Sequence, residues 1–138
     1  MPDRPFRVLP RPDEETAFFW SSGKDGVLRF LRCDACRRYV HPPAPVCGYC
    51  RHRVLHPEPV SGRATLHSFT VNHQPWDGGM TPIPYVIALV EIDEQSDVRL
   101  TTNIVNCEPD DVKIGMPLQV LFEDQGTVWI PLFEPVRP

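Results

Sequence analysis

Four cysteines constrain this chain more than anything else in it. Cys33, Cys36, Cys47 and Cys50 follow the spacing C-x2-C-x10-C-x2-C, and the fifth cysteine, Cys107, lies far downstream. Each C-x2-C pair suits a tight knuckle turn in which two sulfurs converge on one ion, with backbone amides left to bond the thiolates. Two knuckles supply four thiolates in a tetrahedron, which zinc accepts without geometric strain. The intervening segment, RRYVHPPAPV, allows a short strand, a proline-rich turn and a return. Structural zinc is therefore the expected cofactor, and the same four sulfurs are chemically open to iron. Disulfides are disfavoured by the odd cysteine count and by the opening MPDRPFRVLPRPDEE, which has no apolar signal core. A redox pair would more naturally be a single C-x2-C on a βαβ scaffold. With cysteine at all four positions, no coordination site remains for catalysis.

Composition narrows the remainder. The chain has 138 residues, 17 of them proline. Proline fixes φ and removes a backbone donor, so an all-helical bundle is excluded. No apolar run approaches the roughly 18 residues that span a bilayer, and a cytoplasmic protein is expected. The net charge of −4 argues against a protein that coats nucleic acid. That charge is unevenly placed. Arg29, Arg32, Arg37, Arg38, Arg51 and Arg53 face only Asp34 within their segment, which makes it basic and the rest of the chain strongly acidic. Such a segment is either a solvated face or a contact for phosphate or an acidic protein surface.

Residues 1–11 read as extended. Residues 12–23 read as a helix, with Pro12 in its first turn, Asp13, Glu14 and Glu15 on its positive end and Gly23 at its close. Phe18, Phe19 and Trp20 are consecutive, so they cannot all share one face of a short helix. From Val60 onward the pattern is β. A strand follows Gly62, and P-Y-V-I-A-L-V-E-I-D reads as a strand buried on both sides. Three further strands end near Phe133. The irregular loop Q-P-W-D-G-G-M-T-P-I-P, which contains Trp76, is either a binding element or a barrel cap. The expected fold is mainly β. An N-terminal helix and a rubredoxin-like zinc ribbon occupy residues 1–59, and a five-stranded OB-fold barrel occupies residues 60–138. His41 and His52 flank a full tetrahedron and read as surface residues or neighbours of the ligands. His67 and His73 read as structural, and Cys107 as a small buried hydrophobe.

In order along the chain come F-F-W-S-S-G, G-V-L-R-F-L-R-C-D-A-C, P-V-C-G-Y-C, S-G-R-A-T-L-H-S-F-T-V, P-Y-V-I-A-L-V-E-I-D and L-T-T-N-I-V-N-C-E-P-D-D-V-K-I-G-M. Over residues 12–135 this pattern resembles the OB-fold, acyl-CoA-associated family with an N-terminal rubredoxin-like zinc ribbon, long labelled a domain of unknown function. One departure is Ala64, where the family commonly has glycine. The resemblance implies a hetero-oligomer with a thiolase-fold protein that carries the catalytic residues and most of the acyl-CoA contacts. It implies retro-aldol cleavage of steroid side-chain acyl-CoA thioesters, with a thiolase, acyltransferase or hydratase complex as alternatives.

The sequence itself has no G-x-S-x-G, Walker A or G-x-G-x-x-G motif, so the isolated chain is expected not to be catalytic. Phe18, Phe19, Trp20 and Trp76 are candidate hydrophobic anchors. Arg37, Arg38, Arg51 and Arg53 are candidate contacts for CoA phosphates or an acidic partner. A single-stranded nucleic-acid module is the reading from another class, since OB-folds also serve that purpose.

Overall fold

A computed structural model describes residues 4–137. Helix α1 is short, Ala17–Ser21, and continues as a 3-10 turn over Ser22–Lys24. The ribbon sheet follows, with β1 at Arg29–Cys33, β2 at Tyr39–Val40 and β3 at Leu55–Pro59, in the order β2-β1-β3. The barrel has β4 at Arg63–Asn72, β5 at Tyr85–Ile92, β6 at Gln95–Ile104, β7 at Pro117–Asp124 and β8 at Trp129–Pro135. It closes in the order β4-β5-β6-β8-β7. Closure removes the sheet edges, and its seam is the parallel pairing of Ile104 with Phe133. This is the five-stranded OB barrel expected from the strand count. No helix among the described residues is long and apolar enough to cross a membrane.

The helix is shorter than residues 12–23 for a local reason. The Asp13 carboxylate accepts hydrogen bonds from the backbone N–H groups of Glu15 and Thr16, both at 2.9 Å. That turn delays the helix to Ala17. At the other end Ser21 and Ser22 donate their hydroxyls to the carbonyls of Ala17 and Phe18, both at 2.8 Å, and the chain tightens into 3-10 geometry. Gly23 does not terminate the helix. A Cβ there would lie 2.5 Å from the Phe122 ring and 2.6 Å from the Trp129 Cβ, so glycine permits the turn to lie against β7 and β8.

The apolar strand β5 also differs from expectation. It alternates, with Val86, Ala88, Val90 and Ile92 buried inside the barrel, while Ile87 is 37% exposed on the outer surface. A single β-layer covers one face only, so a nearly continuous apolar sequence here serves the barrel interior and leaves apolar residues outside. Cys107 is only partly buried at the edge of the core.

Ribbon and barrel share one core. Phe19, Leu28, Phe30 and Tyr39 from the N-terminal part cluster with Leu66, Val90, Leu118 and Phe133 from the barrel. The β5–β6 hairpin ties the two together through its side chains. Gln95 accepts from the Tyr39 backbone N–H at 2.8 Å and donates to the Tyr39 carbonyl at 3.0 Å, standing in for a neighbouring strand. Glu94 accepts from the Ser61 N–H at 2.6 Å. Asp97 accepts from the Tyr49 hydroxyl at 2.7 Å. The N-terminal segment crosses β7 as a strap. Arg7 pairs with Glu123 and donates to Asn103 at 3.1 Å, and Gln125 donates to the Pro5 carbonyl at 3.1 Å.

Replacing Gln95 by alanine leaves two backbone groups of buried Tyr39 unpaired. The expected cost is about 1–3 kcal/mol of stability, read as a fall in denaturation midpoint. Gln95→Glu is expected to destabilise as well, because a carboxylate cannot donate to the Tyr39 carbonyl. Wild-type stability in both variants would show that the clamp contributes nothing.

Candidate metal centre and its surroundings

The two knuckles have the same backbone. In the first, the Arg37 N–H bonds the Cys33 carbonyl at 3.0 Å and the Cys33 N–H bonds the Arg38 carbonyl at 2.9 Å. In the second, Arg51 bonds Cys47 at 3.0 Å and Cys47 bonds His52 at 2.9 Å in the same way. Each turn closes on an arginine in the left-handed region, Arg37 at φ 65° and Arg51 at φ 70°. The leading cysteine of each knuckle, Cys33 or Cys47, is buried, and Cys36 and Cys50 are exposed.

The four sulfurs lie within 4.8 Å of one another. Cys33 and Cys50 are 3.5 Å apart and Cys36 and Cys47 are 3.7 Å apart. Tetrahedral zinc–thiolate bonds of about 2.3 Å place sulfurs roughly 3.8 Å apart, so the cluster fits such an ion. The Tyr49 N–H points at the Cys47 sulfur at 3.4 Å, the kind of amide that stabilises a ligating thiolate. Although burial raises the Cys33 thiol, the Cys36 and Ala35 amides bring it down to about 6. The Arg38 amide lowers Cys36, but burial and the adjacent sulfurs push it up to about 11. Without a cation the cluster therefore retains protons that metal binding would displace.

The arginine segment is less free than its sequence implies. Arg29 pairs with Asp25 at 2.7 Å, and Arg32 and Arg37 both pair with Glu58, at 3.1 and 3.0 Å. Those pairs hold the Glu58 carboxyl below its usual range, through hydrogen bonds from Arg32 and then Arg37. Arg38 stacks on the Tyr49 ring, 4.5 Å from its centroid. Arg51 and Arg53 are exposed and make no ion pair among the described residues. Tyr49, Glu58 and Gln95 were not singled out from sequence. Their partners are 21 to 56 residues away, and no local pattern announces them.

Among the aromatic candidates, Phe19 is 3% exposed and lies in the core, while Phe18 and Trp20 are half-buried. Trp76 is 80% exposed, and its indole N–H donates to Asn72 at 2.9 Å. The Asp77 carboxylate accepts from the N–H groups of Gly79 and Met80 at 3.1 and 3.0 Å, so the loop is ordered by its own contacts.

His41 is half-buried and packs its ring on the core. Its ring lies 5.1 Å from Phe19 and 4.9 Å from Phe30, and its buried Nδ1 has no hydrogen-bond partner. Burial lowers its pKa to about 4.

Comparison with known proteins follows the same division into ribbon and barrel. Residues 20–56 match the rubredoxin-like zinc ribbon domain of ChsH2, and residues 57–123 match the ChsH2 C-terminal OB-fold domain. The solved structure described as the Ltp2–ChsH2(DUF35) aldolase contains a chain 33% identical to this one. The match has a TM-score of 0.82 and covers 92% of this chain and 98% of that one. The 3-oxo-4,17-pregnadiene-20-carboxyl-CoA hydratase alpha subunit of Mycobacterium tuberculosis is 38% identical over 85% of this chain and 36% of its own length. A DUF35 domain-containing scaffold protein of Methanothermobacter thermautotrophicus is 34% identical over 66% of this chain and 68% of its own. The chain thus spans about two fifths or less of the hydratase alpha subunits it matches.

Two outcomes are expected. A chelator, or Cys36→Ser, should release bound metal and destabilise the fold, because a structural ion supplies folding free energy directly. Metal analysis alongside circular dichroism checks this, and a fully folded metal-free protein would contradict it. The second outcome concerns acid. His41 is neutral in both states at high pH. Between its ordinary value of 6.5 and its folded value of about 4, the unfolded chain takes up the proton and the fold does not. Stability is therefore lost progressively as pH falls through that window, by up to about 3 kcal/mol. His41→Phe should flatten this part of the profile, measured as the difference between the two proteins' denaturation curves.

Proposed function

Because the chain belongs to the DUF35 family and carries the zinc-ribbon and OB-fold domains of ChsH2, we propose that it is the non-catalytic accessory subunit of a thiolase-fold acyl-CoA complex. The reaction of that complex is retro-aldol cleavage of a side-chain acyl-CoA thioester, with a steroid acyl group as the substrate class. The observation that carries this reading is the match over 98% of the DUF35 chain in an aldolase structure. The name of the mycobacterial relative, a steroid-CoA hydratase subunit, supports the substrate class. The word scaffold in the archaeal relative's name supports a role without chemistry of its own.

The ion in this reading is zinc, held by Cys33, Cys36, Cys47 and Cys50. With four protein ligands it would be structural, keeping the ribbon folded and its basic surface in place. This chain's own contribution is then surface. Trp76 is an exposed aromatic on a loop ordered by Asn72 and Asp77, so little conformational entropy is lost when a partner covers it. Phe18 and Trp20 contribute their half-exposed edges, and Phe19 supports them from the core. Arg51 and Arg53 are exposed and open to form a basic rim where charge guides association, while Arg37 and Arg38 are engaged by Glu58 and Tyr49 and contribute less.

The outer surface of β5 and β6, where OB-folds commonly take oligonucleotides, carries Tyr85, Ile87 and Leu89. Its Arg99 is bound to Glu91 at 3.2 Å. This composition favours the protein-complex reading over the nucleic-acid one.

Co-expression with a thiolase-fold acyl-CoA protein is expected to yield a stable complex. The complex should cleave an aldol acyl-CoA adduct that neither protein cleaves alone. Trp76→Ala should weaken assembly by about 2 kcal/mol, read by titration calorimetry, while leaving the melting temperature unchanged. Turnover by the pure single chain, or oligonucleotide binding without complex formation, would overturn the proposal.

A further inference from the structure

Exposed apolar side chains recur on two segments, the N-terminal strap and the 73–84 loop. Phe6, Val8 and Leu9 on the strap are 40%, 89% and 37% exposed, and Met80 and Ile83 on the 73–84 loop are 58% and 41% exposed. Strap and loop are the two walls of one cleft of about 880 Å³. Its lining includes Phe6, Leu9, Trp20, Tyr85, Ile87 and Ile130, which come from the strap, the helix, β5 and β8. The volume lies within the range of about 300–1,000 Å³ typical of small-molecule sites.

The charges in the cleft are already matched. Arg7 is paired with Glu123 and bonded to Asn103. The Asp77 carboxylate is taken up by the Gly79 and Met80 N–H groups and the Thr81 hydroxyl. An ionised ligand group would be desolvated there without a free counter-charge, whereas an uncharged apolar group meets no such penalty. The cleft is also preformed. The Arg7 and Gln125 bonds hold the strap on the barrel, and the Asp77 turn holds the loop. Phe6, Val8, Leu9 and Ile87 all line this concave surface and are left exposed to water, and a contiguous apolar patch of that kind marks a binding groove.

We infer that the cleft between the N-terminal strap and the 73–84 loop is a binding site of this chain for an uncharged, apolar organic group. Within the function proposed above, and resting on it, that group is the acyl portion of the thioester, whose charged CoA portion lies outside the cleft. The binding itself needs no partner. With Asn103 and Thr81 bonded to Arg7, the Val86 carbonyl and Asp77, the hydroxyl of Tyr85 is the group in the lining that would orient a carbonyl or hydroxyl on such a ligand.

The test uses the isolated full chain and the neutral fluorophore N-phenyl-1-naphthylamine. Saturable binding is expected, with competition by a neutral steroid. The anionic analogue 1-anilinonaphthalene-8-sulfonate should bind more weakly. Ile87→Asp and, separately, Leu9→Asp should each weaken the neutral probe by about tenfold or more. Ile114→Asp, on an exposed residue away from the cleft, should leave it unchanged. Circular dichroism confirms that each variant is folded, and two cleft variants guard against one failing to fold. Absence of saturable binding, preference for the anionic probe, or undiminished binding in both folded cleft variants would overturn the site. Assembly with the thiolase-fold protein is read on the same samples. Probe binding without assembly counts against the proposed function alone, and assembly without probe binding counts against this site alone.

Discussion

The ribbon depends on four sulfur atoms brought within 4.8 Å of one another. The ribbon strands are too short to hold themselves. β2 has only two residues, and the apolar side chains of this small sheet pack on the barrel rather than on one another. The two knuckles supply the missing constraint. Each is closed by two backbone hydrogen bonds and by an arginine in a left-handed conformation that most residues avoid. Once they converge, β1 lies between β2 and β3, and Phe30 and Tyr39 are placed against the barrel.

The position of the ribbon matters because the chemistry assigned to this chain is one of surfaces. Glu58 draws Arg32 and Arg37 onto the ribbon itself, and Tyr49 takes Arg38, leaving the charge of Arg51 and Arg53 outward. The strap and the ordered loop instead hold apolar groups in water. The chain therefore carries two surfaces of different character, one basic on the ribbon and one apolar along the strap and loop, on a single closed barrel with its ribbon.

The sequence was legible where a pattern is local and its meaning chemical. The cysteine spacing announces the metal cluster, and the alternation of apolar residues announces most barrel strands. It was less legible where the determinants are remote. Gly23 reads as a helix stop, but what it serves is contact with Phe122 and Trp129, a hundred residues downstream. The helix is shortened by the Asp13 carboxylate and by serine hydroxyls that compete for backbone groups. His41 reads as a polar residue beside a metal site, yet it is packed between two phenylalanine rings that only the tertiary fold assembles. The arginine cluster reads as one basic patch because ion-pair partners such as Glu58 belong to a different strand. The aromatic triplet shows that some rings must turn outward, and only the packing decides that Phe19 is the one turned in.

The shared core has a thermodynamic consequence. Phe19, Leu28, Phe30 and Tyr39 bury themselves against barrel residues rather than within the ribbon. Two sequence modules built this way form a single cooperative unit, because neither can open without exposing the other's apolar surface. Melting should then proceed as one transition instead of two, and an ion bound at one end would raise the temperature at which the far barrel strands come apart. The metal cluster would act as a thermostat for strands that never touch it.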